Sequence, residues 1–296
     1  MALPSVEVIC FGASYGVALV GELARLGVRS PLRRTLTIAA TSAGLVAQTW
    51  YLASRWVATS TPPITTTFDS LLVLSWLLAA IYLYLAVQHR RHAIGFFLLP
   101  LIVGLVAVAG SPAFNAQPTA DWPGFIALWV TVHVGLLILG SLAVTAAFLA
   151  ALMYLIQVRR LKAKLPPTAG LTLPSLEQLE KLNSGAVFLA FPLLTLGLAV
   201  GAILALYLRR QAYSISLLDP SVLAALAAWV LLALLLHWRY QPAKRGRKVA
   251  YLTILAFGLV LLTLFGIRLF DVSTWHGSTR AVAGGAAPEP VGDALP

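Results

Sequence analysis

The sequence predicts an all-α, polytopic membrane protein with about eight transmembrane helices. Hydrophobic residues make up 59% of the 296 and charged residues only 10%, with a mean hydropathy of +0.87, which is more apolar surface than a soluble domain can bury. The apolar residues fall in continuous runs rather than in alternation, and in lipid only helices and closed barrels satisfy the backbone, so the runs read as helices. The charges gather in the gaps between the runs.

The runs cover residues 6–26, 36–57, 68–87, 93–110, 134–157, 184–208, 220–238 and 249–270. Each is near the ~20 residues that a helix rising ~1.5 Å per residue needs to cross ~30 Å of hydrocarbon. The first run carries Glu7 and Glu22 and follows no basic region, so it is expected to be a retained helix rather than a signal peptide. It also holds Cys10, the one cysteine, which excludes an internal disulfide, a CxxC pair and a cysteine metal cluster. Gln48, Glu22 and Asp69 lie within or beside apolar runs, where polar groups are costly. They are expected to hydrogen-bond between helices.

Between the fourth and fifth runs, residues 121–157 contain no strong break except Pro123, and a helix of that length would reach about 55 Å. Residues 121–132, with Trp122, Phe125 and Trp129, are therefore expected to lie along the outer interface. Pro166, Pro167 and Pro174 punctuate the next connection. There Ser175 followed by Gln178 makes a capping-box pattern for a short helix. Residues 1–275 are read as one membrane domain and 276–296, rich in Ala, Gly and Pro towards the end, as an external disordered tail.

Charge orients the chain. Arg25, Arg29, Arg33, Arg34, Arg90, Arg91, Arg159, Arg160, Lys162, Lys164, Lys181, Arg239, Lys244, Arg245, Arg247 and Lys248 fall on one side. Arg55, Arg209, Arg210, Arg268 and Arg280 fall on the other. The positive-inside rule then places both termini outside a plasma (inner) membrane. Topology and anionic lipid account for the net charge of +11, so no nucleic-acid partner is implied.

Three of the five histidines, His133, His237 and His276, sit at the rims of apolar runs, whereas His89 and His92 flank Arg90 and Arg91 in a basic turn. His133 closes the segment Trp129-Val130-Thr131-Val132-His133. Phe191-Pro192-Leu193-Leu194-Thr195-Leu196-Gly197 and Gly201-Ala202 follow, then Asp219-Pro220, Leu236-His237-Trp238-Arg239 and Trp275-His276-Gly277. Phe68-Asp69-Ser70-Leu71 with Ser75-Trp76 adds a weaker motif in the first half. In this order the segments resemble the cytochrome c assembly family of membrane proteins, the CcsA-like and HemX-like group that handles haem. One departure stands out. Full haem-delivering members carry a tryptophan-rich motif before the Asp-Pro pair, and residues 203–218 contain no tryptophan here, which points towards the HemX-like branch.

The resemblance implies haem b as cofactor and a role in cytochrome c biogenesis. Under the charge-derived topology His133 and His276 share the outer side, where two imidazoles suit the axial positions of one iron. Arg209 and Arg210, with Arg55 and Arg268 as alternatives, are candidates for the propionates. His237 lies on the inner side. In the family that position is an intramembrane ligand whose partner histidine comes from another protein or domain, which implies a second membrane subunit. Helix-end anchoring is the alternative for His237, and an interfacial role for His133. No HExxH, GxSxG or Walker-type loop is present, so hydrolase and NTPase chemistry have no support. Nor are there paired Gly- or Pro-broken helices of the kind transporters display. The expected function is haem coordination and handover rather than enzymatic turnover. The alternative is a HemX-like membrane adaptor that regulates haem synthesis or stabilises a partner complex without holding haem.

Overall fold

The computed structural model describes residues 6–24, 31–59, 62–64, 66–88, 94–111, 124–164, 173–210, 220–239 and 246–266. Among them every regular element is helical: α1 (Val6–Ala24), α2 (Pro31–Thr59), α3 (Thr67–Gln88), α4 (Gly95–Ala109), α5 (Gly124–Lys162), α6 (Leu176–Arg210), α7 (Pro220–Arg239) and α8 (Arg247–Leu261), the last continued by a π-helical turn, Leu262–Gly266. Over the described residues, each predicted run corresponds to a helix of its own. All but α2 and α4 are long and apolar enough to cross a membrane. α2 has the length, with 29 residues, but carries Arg33, Arg34 and Arg55. α4, with 15 residues, reaches only about 22 Å. The chain is an all-α polytopic membrane protein.

Neighbouring helices run antiparallel and pack into two rings of four. In the first ring α1 contacts α2 and α4, and α3 contacts α2 and α4; in the second, α5 contacts α6 and α8, and α7 contacts α6 and α8, while α3 touches α5 across the boundary. The alternation places Arg34, Arg159, Arg160, Lys162, Lys181, Arg247 and Lys248 at one end, called here the basic end, and Arg55, Arg209 and Arg210 at the far end.

The buried face of α1, Val8, Phe11, Tyr15, Ala18 and Glu22, recurs every three or four residues, as one stripe of an α-helix must. Polar groups tie this stripe to its neighbours. The Tyr15 hydroxyl donates to Gln48 Oε1 at 2.7 Å, and Gln48 Nε2 donates to the Leu72 carbonyl at 3.0 Å and to Ser75 Oγ at 2.9 Å. Gln48 thus joins α1, α2 and α3 from a fully buried position, as expected for a polar residue in lipid. Asp69 is likewise paired between helices, as the ion partner of Arg55 of α2.

Two expectations change. Residues 124–132 do not form a separate interfacial segment; they are the start of an uninterrupted 39-residue α5. Ile126 and Val130 pack there against Leu204, Ala205 and Leu208 of α6, so leaving the helix would expose a packed apolar stripe. Phe125 and Trp129 of this stretch do face outward, with ring centroids 6.2 Å apart. The second change concerns Ser175. Its capping box is real: Ser175 N–H donates to Gln178 Oε1 at 3.1 Å and Gln178 N–H to Ser175 Oγ at 3.3 Å. It opens no short helix, however, but the 35-residue α6. The 276–296 tail, His89 and His92 lie outside the described residues.

Candidate functional site

The geometry that matters most arises along α5 and α6. These helices meet through a regular antiparallel seam in which a residue of one fills the gap left by a small residue of the other. A Cβ built on Gly140 would lie 2.7 Å from Leu194 Cδ2, and one built on Gly197 would lie 2.8 Å from Leu137 Cδ2. One turn further towards the far end, a Cβ on Gly201 would lie 2.5 Å from His133 Cε1 and 2.8 Å from its Nδ1. His133 is therefore the next knob after Leu137, and Gly201 is its hole. Only a residue without a side chain admits the imidazole at this distance.

His133 Nδ1 lies 2.8 Å from the Gly197 carbonyl oxygen, which is its hydrogen-bond partner among the described residues. A carbonyl only accepts, so Nδ1 carries the proton, and in the neutral imidazole Nε2 then retains its lone pair. The ring is half-buried. One contact thus fixes both the tautomer and the ring plane.

Arg209 and Arg210 close α6 at the far end and are exposed. They stand eight and nine residues beyond Gly201 in sequence, about 12–14 Å along the axis. Arg55 shares that end but is committed: its Nε is 2.6 Å from Asp69 Oδ1 and its guanidinium sits 5.3 Å from the centroid of the Phe68 ring. His276 and Arg268 lie outside the described residues. His237 is exposed near the opposite, basic end of α7. Leu236 and Trp238, its neighbours, line a cavity of about 410 Å³ with Tyr154, Glu180, Asn183 and Gly246. Gly246 has φ +94°, which a side chain would strain, and it faces the Tyr154 hydroxyl. His133 thus lies towards the far end and His237 near the basic end.

Sequence reasoning found His133 but not its seat. The spacing Gly197-x-x-x-Gly201 was the available signal, since small residues four apart let membrane helices approach closely. Asn183 was also missed; it is buried and donates to the Ala147 carbonyl at 2.9 Å and to Thr253 Oγ1 at 3.2 Å, linking α6 to α5 and α8. Its sequence context resembles a loop, which hid it.

The family profile described as Cytochrome C assembly protein matches residues 64–273, which contain the whole α5–α6 seam and His237. The chain is 25% identical to the cytochrome c biogenesis protein CcsA of Gloeobacter violaceus, over 90% of this chain and 94% of that one. It is 26% identical to the CcsA of a Synechococcus species, over 88% and 89% of the two chains, and 25% identical to that of Guillardia theta, over 73% and 77%. With well over half of its length matched by the family profile, the chain belongs to the cytochrome c assembly protein family.

Proposed function

We propose that this protein is a membrane component of cytochrome c biogenesis that coordinates haem at the far end of its second helical ring and presents it to a partner subunit. The observation that carries the reading is the seat of His133. Metal-bound histidines commonly give the other ring N–H to a carbonyl or carboxylate, which fixes the tautomer and raises ligand basicity. His133 has that arrangement towards Gly197, so it would hold the iron of haem b through Nε2. His276 would supply a second imidazole. Bound haem brings the iron and macrocycle; the chain contributes the imidazoles that hold it and the cations that orient it. His237 serves a separate haem at the basic end, completed by a histidine from the second membrane subunit.

Arg209 and Arg210, exposed at the far end of α6, would offer the propionates charge-assisted donors. Replacing both by glutamine is expected to lower haem retention at unchanged protein level, read from the haem-to-protein absorbance ratio after purification. Equal retention removes them from the site.

Orientation follows the charge distribution, with the basic end cytoplasmic. Reporter fusions after Lys164 and Gly246 are expected to read cytoplasmic, and fusions after Ala116 and Gly284 external. Opposite readings for the last two would undo both the even number of spans and the pairing of His133 with His276.

The deciding experiment is the absorbance spectrum of the full-length protein purified from haem-replete, reducing cells. A Soret band with low-spin character is expected. The absence of tryptophan from residues 203–218 favours the second reading, a HemX-like adaptor that holds no haem. A folded protein without a Soret band decides for the adaptor.

A further inference from the structure

We infer that Gly201 is the positioning residue of the His133 site: by leaving the Gly197 carbonyl uncovered, it fixes the imidazole in the tautomer that keeps Nε2 bare as an electron-pair donor. The inference rests on the haem reading for what that lone pair serves, and on geometry alone for how it is held.

In an α-helix each side chain leans towards the N-terminus and covers the preceding turn, so the residue at i+4 covers the region beside the carbonyl of residue i. Gly201 is four residues after Gly197. Its missing side chain leaves that carbonyl, already part of the helix, open to a second donor from α5. His133 occupies the opening, with Nδ1 at 2.8 Å from the oxygen and ring atoms packed where a Gly201 Cβ would lie. The two glycines have different tasks. A Cβ at Gly197 meets the end of the Leu137 side chain at 2.8 Å, a flexible neighbour. A Cβ at Gly201 meets Cε1, Nδ1 and Nε2 of a rigid ring, at 2.5, 2.8 and 3.3 Å. Even one methyl group at position 201 therefore displaces the imidazole and weakens its bond to the carbonyl.

Gly140 provides a matched comparison. It lies on the same seam two turns from His133, and a Cβ there would be as tight, at 2.7 Å from Leu194 Cδ2, without touching the histidine. Gly140→Ala disturbs the packing of α5 on α6; Gly201→Ala disturbs the packing and the tautomer.

The test uses the full-length protein labelled with ¹⁵N-histidine, with the His133 resonances assigned by their loss in His133→Gln. In the haem-free wild type, the ¹⁵N shifts are expected to show a protonated Nδ1 and an unprotonated Nε2. Gly201→Ala is expected to give tautomer-averaged shifts and about 10–100-fold weaker haem retention, the usual range when an outer-shell partner of a metal-bound histidine is lost. Gly140→Ala is expected to keep the wild-type shifts. An averaged or Nε2-protonated His133 in the wild type overturns the inference, and this measurement stands even where Gly201→Ala does not fold. So does a Gly201→Ala protein with wild-type shifts and retention, or a Gly140→Ala protein whose His133 shifts move equally. A wild type with the expected tautomer that binds no haem defeats the haem reading and leaves the positioning intact.

Discussion

Replacing Arg55 by alanine is expected to destabilise the folded protein by about 3 kcal/mol, at the lower end of what breaking a buried ion pair costs. The lower end applies because the pair is asymmetric: the Asp69 side chain is 2% exposed and that of Arg55 31%. Arg55 approaches both carboxylate oxygens, with Nε 2.6 Å from Oδ1 and Nη2 3.4 Å from Oδ2. Thr66 donates to Oδ2 at 2.7 Å and accepts from the Asp69 N–H at 3.1 Å, capping α3 in the same contact. Without the guanidinium, Asp69 keeps the threonine and loses its counter-charge. Removing both partners is expected to cost less than removing Arg55 alone, since no buried carboxylate is left behind. Unfolding midpoints of Arg55→Ala, Asp69→Ala and the double variant in detergent read this out. A double variant no more stable than Arg55→Ala would mean that the arginine contributes through its stacking on Phe68 instead.

His133→Ala is expected to abolish the low-spin haem spectrum or convert it to a high-spin one, because loss of one axial nitrogen opens a coordination position. The substitution empties a hole whose opposing wall is Gly201, so the space left behind has the shape of an imidazole. Added imidazole is accordingly expected to restore the spectrum. His276→Ala is expected to have the same effect, and His237→Ala to spare this haem, since ~30 Å of hydrocarbon separates the two membrane faces. A His133→Ala protein with an unaltered spectrum would assign the imidazole to helix packing alone, as one more knob in the seam.

The eight apolar runs were legible because lipid imposes one demand, backbone satisfaction over a fixed thickness, and a run of apolar residues answers it directly. The helix ends were less legible. At its far end, α5 is held by Ile126 and Val130 against Leu204 and Leu208, a contact between residues far apart in sequence that hydropathy does not register. α6 likewise starts at its Ser175 cap rather than at the first strongly apolar residue. At the site, His133 announced itself by rarity. Gly201 did not, since a glycine in an apolar helix looks the same whether it faces open space, as Gly104 and Gly258 do with nothing near their Cβ positions, or a ring at 2.5 Å. Arg55 shows the converse: grouped with Arg209 and Arg210 by charge and side, it is separated from them by its partner Asp69.

The closure of α1 to α4 into its own ring bears on how the protein is made. α1 lies against α4 as well as α2, so the first ring has all its members once α4 has left the ribosome, while α6 to α8 are still to be synthesised. Apart from Leu149, Met153 and Leu179, the buried cluster of that ring is drawn from α1 to α4 alone. The nascent chain is thus expected to insert as two successive assemblies, the first packed before the half carrying His133 and His237 is complete. Two polypeptides divided between Ser111 and Gly124 and synthesised together should reassemble into the same protein.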